Sequence, residues 1–305
     1  MKNKYDIVTI VGPTASGKTS IACHLAYELG GEIISGDSRQ VYKGMDIGTG
    51  KDLSDYVVNG TPVPYHLIDI CEAGEKYNLF EFQQDFHEAY NDVTSRGVLP
   101  ILCGGSGLYV ESVLRGYSLP NVPINNELRE NYYSLSLGQL TDVLASYKAL
   151  HNTTDTENKR RAIRAIEIEE YKKQQEVVNK NYLPLNSLII GVEIGREQRR
   201  NKISQRLRTR LQEGMIEEVR AILDQGVAAE DLIYYGLEYK FVTQYVIGEL
   251  SYDEMVEKLE IAIHQFAKRQ MTWFRGMEKR GLKIHWIDSQ LPMESKVEEI
   301  ITLMQ

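Results

Sequence analysis

The sequence predicts an α/β protein, a parallel sheet covered by helices on both faces, with a helical segment inserted into it. Three observations carry this. Strand and helix signals alternate through the first 115 residues, which favours a parallel sheet. The strand-like runs are apolar without strict alternation, as strands buried on both faces are. A G-x-x-x-x-G-K-[ST] motif stands at the first strand–helix junction, at residues 12–19.

Residues 6–11 (DIVTIV) read as the first strand, and residues 17–29 as the helix that the motif opens. Residues 32–35 (EIIS) and 65–70 (YHLIDI) predict the second and third strands. Phe82, Phe86, Ala89, Tyr90 and Val93 make a 3.6-residue stripe, so residues 80–96 predict a helix that Gly97 stops. Residues 98–103 (VLPILC) give a fourth strand, and Gly104-Gly105 turns into a helix over 106–114. Residues 117–185 open with a turn-rich stretch and hold no convincing strand. They predict a helical insertion, leaving 1–116 and 186–305 as the core. Residues 187–194 (SLIIGVEI) return to strand character, and residues 196–223 predict one long helix ended by Gly226. Ser251 with Glu254 three residues on is a capping box for a helix running towards Phe274. Residues 283–287 (KIHWI) give a last strand.

Composition sets the outer limits. The 305 residues are 42% hydrophobic and 26% charged, enough apolar content for a core and unlike a disordered chain. No apolar run is long enough for a membrane span, and the first apolar run reads as a strand rather than a signal peptide. Cys23, Cys71 and Cys103 are far apart and without metal-like spacing, which predicts free thiols and a cytoplasmic location. The six histidines show no metal spacing either. The net charge of −8 argues against a generic basic nucleic-acid binder. The basic residues nevertheless cluster: residues 196–210 hold seven Arg/Lys, residues 159–164 four and residues 268–280 five. A single run of this kind is ordinarily a solvated helix face, but three in an acidic chain point to a bound polyanion.

The motif itself is Gly12, Pro13, Thr14, Ala15, Ser16, Gly17, Lys18 and Thr19. Its glycines let successive N–H groups turn towards one anion, and the helix N-terminus adds partial positive charge. Lys18 supplies a mobile cation for terminal phosphates, and the Thr19 hydroxyl can ligate Mg²⁺. Residues 35–40 (SGDSRQ) follow the second strand, at the sheet edge where α/β proteins bind ligands. Asp37 is there either a turn residue, a Mg²⁺ ligand or a proton acceptor. Asp69, after the third apolar run, is a weak match to a metal-holding acid.

Further blocks accompany these. They are SGDSRQVYKGMDIGT at 35–49, YHLIDI at 65–70 and GGSGLYVESVLRG at 104–116. NKRRAIRAIEI at 158–168, QRLRTRL at 205–211 and AKRQMTWFRG at 267–276 follow in the same order. Together with the phosphate loop they resemble the tRNA dimethylallyltransferases (tRNA isopentenyltransferases) over nearly the whole chain. The D-S-x-Q-V-Y-x-x-x-D-I-G-T block is the most specific part. The resemblance implies a P-loop kinase-like core with an inserted helical domain that grips the tRNA anticodon stem-loop. It also implies transfer of a dimethylallyl group from dimethylallyl diphosphate to N6 of the adenine just 3′ of the anticodon.

It further assigns roles. Asp37 matches the general base and Arg206 the arginine on the diphosphate. Ser106 stands where most members have threonine and keeps the hydroxyl. The loop of residues 12–19 would hold the diphosphate, with Mg²⁺ on Thr19. Asp37, Ser38, Arg39 and Gln40 match RNA-contacting positions, as do Arg160, Arg161, Ala162, Ile163 and Arg164, with Arg129 a further match. Two stretches depart from the family pattern. G-Y-[KR]-[EQ] reads here as Gly236-Leu237-Glu238-Tyr239, and D-I-G-T-A-K-P reads as Asp46-Ile47-Gly48-Thr49-Gly50-Lys51-Asp52.

A P-loop small-molecule kinase would share the phosphate loop, an acid near the second strand and an arginine-rich lid. The 35–49 block and the long basic C-terminal helices disfavour it. A non-catalytic RNA-binding protein would not need Lys18, Thr19, Asp37 and Arg206 together, and a prenyltransferase acting on free adenine nucleotides would not need the inserted segment. Trp273 and Trp286 read as packing residues, His66 as a satisfied polar core residue, and the chain as a monomer.

Overall fold

The computed structural model describes residues 4–150, 155–174 and 182–305. Residues 1–3, and residues 151–154 and 175–181 of the expected insertion, lie outside the described residues. The chain forms two compact units, Met1–Gly116 with Leu183–Gln305, and Tyr117–Tyr182.

The first unit begins with β1 (Ile7–Val11), α1 (Lys18–Leu29) and β2 (Glu32–Ser35). A small antiparallel hairpin of β3 (Val57–Val58) and β4 (Thr61–Pro62) precedes β5 (Tyr65–His66). α2 (Leu79–Ser95), β6 (Pro100–Gly104) and α3 (Gly107–Leu114) follow. The second unit carries α4 (Asn126–Tyr133), α5 (Leu137–Tyr147) and α6 (Lys159–Gln174). The chain then returns with β7 (Ser187–Glu193), α7 (Arg196–Gln212), α8 (Met215–Asp224), α9 (Ala229–Tyr234), α10 (Leu237–Val246) and α11 (Tyr252–Lys279). β8 (Ile284–Asp288) and α12 (Met293–Met304) close it.

Six strands pair in the order β5-β2-β6-β1-β7-β8, every pair parallel. The register sets Val8 opposite Ile101 and Leu188, and Ile33 opposite Ile101 and Tyr65. β1 shows why its sequence lacks alternation. Ile7 and Val11 enter the apolar core on one face with Phe82, Phe86 and Phe274, while Val8 and Ile10 enter the other with Ile21, Leu25 and Ile300. The carboxyl ends of β1, β2 and β6 meet at one edge, and their turns touch. A Cβ at Gly104 would overlap the Gly36 carbonyl, so only glycine closes that approach.

Three expectations change. The third strand is only Tyr65–His66. Leu67 and Asp69 take positive φ of 61° and 55°, and the N–H groups of Asp69 and Ile70 bond to Gln40 and Val41 carbonyls instead of a ladder. The long helix over 196–223 is two helices, because Gly214 at φ 106° breaks it. α9, α10 and α12, short or late in the chain, escaped the periodicity reading. The capping box at Ser251 is present, with both reciprocal bonds made, and its helix runs five residues past Phe274, to Lys279.

The second unit has its own small core of Leu140, Leu144, Ala162, Ile163, Ala165 and Ile166. Beside it, the buried Glu167 carboxylate accepts from Arg129 Nε at 3.1 Å and Nη2 at 2.9 Å, from the Asn125 N–H at 2.6 Å, and from Arg164. Burial would raise the Glu167 carboxyl, but these donors outweigh it and hold it below its ordinary value.

Glu32 ties three elements of the first unit together. It accepts both Arg96 nitrogens, at 2.5 and 2.8 Å, and His66 Nε2 lies 2.8 Å from its Oε2. This answers the polar needs of His66 at the sheet edge. The Arg96 fork, aided by His66, holds the Glu32 carboxyl down to about 2 against its burial. A depressed carboxyl contributes stability at pH above its unfolded value, and that contribution is lost as pH falls through the folded value. Glu32→Gln should therefore cost about 2–3 kcal/mol at neutral pH. Urea unfolding of both chains should show this gap constant above pH 6 and closing as pH falls from the ordinary glutamate range towards about 2. A gap independent of pH would remove the ion pair as its cause.

Candidate active site

The turns at the carboxyl edge of the sheet enclose a cavity of about 490 Å³, lined by residues of the first unit alone. Thr14, Lys18 and Thr19 form one side, Asp37–Gln40 and Ser106 another, and Arg206 and Arg210 a third.

The phosphate loop is built as the motif requires. Ala15 and Gly17 both take positive φ, 61° and 85°, which curls the backbone ahead of α1. Gly12 is needed where the loop leaves β1, since a Cβ there would stand 2.7 Å from Ser16 Oγ. No side chain caps α1, so its first-turn N–H groups stay available to an anion. Ser16 Oγ is buried and has no hydrogen-bond partner. Burial pulls the Lys18 ammonium below its ordinary range, with Cys103 and Asp37 opposing. Gln270 of α11 fixes the loop against the next turn: its Oε1 accepts from the Thr14 N–H at 2.8 Å, and its Nε2 donates to Gly105 O at 3.0 Å.

Asp37 sits in a turn that it organises. Its Oδ1 accepts from the Arg39 N–H at 2.9 Å, leaving Oδ2 without a described bond. Ser106, at the start of α3, accepts from the Ser38 N–H at 3.2 Å and lies 3.2 Å from Ser38 Oγ, so its hydroxyl is tethered beside Asp37. Arg39 reaches the Tyr234 carbonyl at 3.3 Å, and its guanidinium lies 5.7 Å from the Tyr234 ring centroid. Gln40 is a brace, between Ser35 Oγ at 3.1 Å and Gly50 O at 3.1 Å.

The D-I-G-T block is a positioned loop. One carboxylate, Glu218 of α8, accepts from the N–H groups of Asp46, Ile47 and Gly48 at 2.9, 2.7 and 3.1 Å and from Tyr239 Oη at 2.6 Å. Lys51 is buried, and its Nζ donates to Tyr42 O at 2.6 Å, to Asp46 Oδ1 at 2.7 Å and to Asp69. Asp69 is thus the partner of Lys51 and lies outside the cavity lining, which argues against a metal-holding role.

Of the RNA-contacting residues anticipated in the second unit, Arg160 and Arg161 are exposed on α6, with Arg161 paired to Glu157. Arg129 and Arg164 serve Glu167, and Arg164 Nη2 also donates to Val122 O at 2.8 Å. Ala162 and Ile163 have both side chains in the apolar core of that unit.

The comparisons fit this geometry. A model of the family described as "IPP transferase" matches residues 40–277, and one described as "Isopentenyl transferase" matches residues 5–63. The chain is 64% identical to tRNA dimethylallyltransferase 1 of Parabacteroides distasonis over 300 residues, covering 98% of each. It is 63% identical to tRNA dimethylallyltransferase 2 of Phocaeicola vulgatus, covering 99% of this chain and 98% of that one. The chain belongs to the tRNA dimethylallyltransferase family. Among solved structures, the tRNA isopentenylpyrophosphate transferase of Bacillus halodurans superposes with a TM-score of 0.72 at 33% identity, over 99% of this chain and 96% of that one. A eukaryotic dimethylallyltransferase acting on tRNA, at 22% identity and TM-score 0.67 over 93% of this chain and 73% of that one, shares the fold.

Set beside this family membership, several cavity residues were not found in sequence. Trp273, read there as packing, lines the cavity, with its Nε1 bonded to the fully buried Glu111 at 3.0 Å. Gln270 lies three residues earlier, on the same face of α11, a spacing that could have paired them. Glu238, noticed only as a departure, also lines the cavity. Arg210, also missed, stands four residues after Arg206 on α7, a spacing that could have paired them.

Gln270→Leu should lose two buried hydrogen bonds and about 2–3 kcal/mol of stability. It should weaken diphosphate binding more than tRNA binding. Thermal melts with and without pyrophosphate check this, and an unchanged pyrophosphate-induced rise in Tm would show that the tether does not position the loop.

Proposed function

We propose that this protein transfers a dimethylallyl group from dimethylallyl diphosphate to N6 of the adenine 3′-adjacent to a tRNA anticodon. The observation that carries the reading is the opposition of two chemistries in one cavity. Anion-binding groups, Lys18, Thr19, the start of α1 and Arg206, share it with the carboxylate of Asp37 and the hydroxyl of Ser106.

The division of labour follows from the reaction. An exocyclic adenine amine is a weak nucleophile, because its lone pair is delocalised into the ring. As N6 bonds to the allylic carbon, its proton passes to an Asp37 carboxylate oxygen. The C–O bond to the diphosphate breaks, and its electron pair stays on the leaving diphosphate. Lys18, the loop N–H groups and Arg206 stabilise that developing charge. Ser106, tethered to Ser38, positions the acceptor side of the cavity. The base must leave its stack to reach Asp37.

The site also suits Mg²⁺ carried by the diphosphate. Thr19 offers one hydroxyl, and no cluster of three or more acidic, His or Cys side chains among the described residues forms a protein cage. Mg²⁺ ordinarily keeps water and phosphate as most of its ligands. When bound, it would neutralise charge on the departing diphosphate. The exposed Arg160 and Arg161 of α6, with Asp37–Gln40 at the cavity, support recognition of the anticodon stem-loop. Its phosphates would be bound in a salt-dependent manner. The reading takes the enzyme as a cytoplasmic monomer; among the described residues no helix is long and apolar enough to cross a membrane.

The test is incubation with labelled dimethylallyl diphosphate, Mg²⁺ and unmodified tRNA, with AMP or ATP in parallel tubes. Label should appear in tRNA at the adenine 3′ of the anticodon. Label only in AMP would favour a nucleotide prenyltransferase, and ATP consumption without transfer would favour a kinase. Asp37→Asn should lower the rate of transfer by about 10²–10⁴-fold while leaving pyrophosphate affinity within about threefold. Lost affinity with an unchanged maximal rate would make Asp37 a binding residue.

A further inference from the structure

The cationic wall of the cavity is wider than the motifs indicated. Arg206 and Arg210 stand four residues apart on α7, and both line the cavity. The Arg210 side chain is only 10% exposed. Its Nη2 is buried and makes no hydrogen bond; Asp52 Oδ1 lies 3.5 Å away. The other Asp52 oxygen is bonded to Arg206. One carboxylate, itself 47% exposed, thus hydrogen-bonds one guanidinium and pairs more loosely with the other. A buried donor without an acceptor is costly.

Room for Arg210 comes from Gly50. Its φ is +70°, and a Cβ there would overlap Arg210 Nη2 and stand 2.7 Å from Arg206 Nη2. Alanine, the residue of the D-I-G-T-A-K-P pattern at this position, is incompatible with Arg210 where it lies. Asp52 replaces the proline of the same pattern. Glu238 replaces a basic residue of the G-Y-[KR]-[EQ] pattern and lines the same cavity. Burial raises the Glu238 carboxyl, with Arg210 and Arg206 opposing. Three departures therefore converge on one side chain: a glycine that admits it, an acid that half-satisfies it, and an acid whose charge it offsets.

We propose that Arg210 is a second diphosphate-binding guanidinium beside Arg206, and that Asp52 is the counter-ion both release when diphosphate enters. The proposal rests on the diphosphate reading above. Two guanidiniums on one wall can present parallel donors to phosphate oxygens. Half exposed, Asp52 returns to water at small cost, whereas Arg210 has no such route. Asp52, paired with both, keeps two like charges from facing each other unscreened.

Calorimetric titration of the full chain with inorganic pyrophosphate at fixed Mg²⁺ tests this. Arg210→Met should weaken binding about 10- to 100-fold, and Arg210→Lys, which keeps charge but loses the fork, by less. Asp52→Asn should tighten binding several-fold, and the double variant should lose most of that gain. Wild-type affinity in Arg210→Met, alongside lost binding in Lys18→Ala, would overturn the role of Arg210 and leave the diphosphate reading standing. No binding by the wild-type chain would overturn both. Asp52 lies in an exposed loop, so Asp52→Asn stays informative if the Arg210 variants fail to fold; unchanged or weaker binding there would overturn the counter-ion role.

Discussion

Five cations, Lys18, Arg39, Arg206, Arg210 and Arg269, line one cavity whose walls hold two carboxylates, Asp37 and Glu238. That imbalance is the constraint on which the rest of the site depends. Burial lowers the pKa of Lys18 and of Arg210, which is the signature of charge held away from water. Such charge is stable only while carboxylates stand near. Asp37 and Asp52 do so here, and the proposed diphosphate would do it better. The same arrangement that binds the substrate favours the leaving group, because the leaving group carries more charge than the ester it came from.

Keeping those cations in place without collapsing the cavity is a scaffolding problem. The fold solves it with polar crosslinks among turns. Gln270 ties the phosphate loop to the turn after β6, Gln40 ties the turn after β2 to Gly50, and Glu218 holds the backbone of residues 46–48. The Gln270 and Glu218 crosslinks join segments distant in sequence. The cavity is thus an outcome of the whole first unit, and a change at Glu218 of α8, outside the cavity lining, reaches the loop of residues 46–48 without touching the cavity. The second unit uses the same device at Glu167, which gathers Arg129 and Arg164 at the edge of a six-residue core.

Much of this was legible in sequence. β1, β2, β6 and β7 lie in the middle of the sheet, and buried strands announce themselves as apolar runs. The phosphate loop was plain because its chemistry demands glycines at fixed spacing. What failed depends on tertiary context. YHLIDI reads as a strand, yet Asp69 is drawn to Lys51 and the chain turns at Leu67. The helix over 196–223 reads as continuous because one glycine in a long amphipathic pattern is often tolerated; here Gly214 takes a left-handed φ and ends α7. Arg210 and Trp273 were missed for a common reason: the direction in which a helix presents a polar residue is decided by what packs on its other side.

In the proposed reaction the cavity binds diphosphate between the phosphate loop and α7, with Asp37 facing the acceptor. The most direct measurement is a crystal structure of the chain with Mg²⁺ and an S-thiolo analogue of dimethylallyl diphosphate, whose bond to carbon resists cleavage. The diphosphate should lie on the N–H groups of residues 14–19, with Lys18 and Arg206 on its oxygens and the allylic carbon turned towards Asp37. A diphosphate seated elsewhere, or seated here with its allylic end pointing away from Asp37, would contradict it.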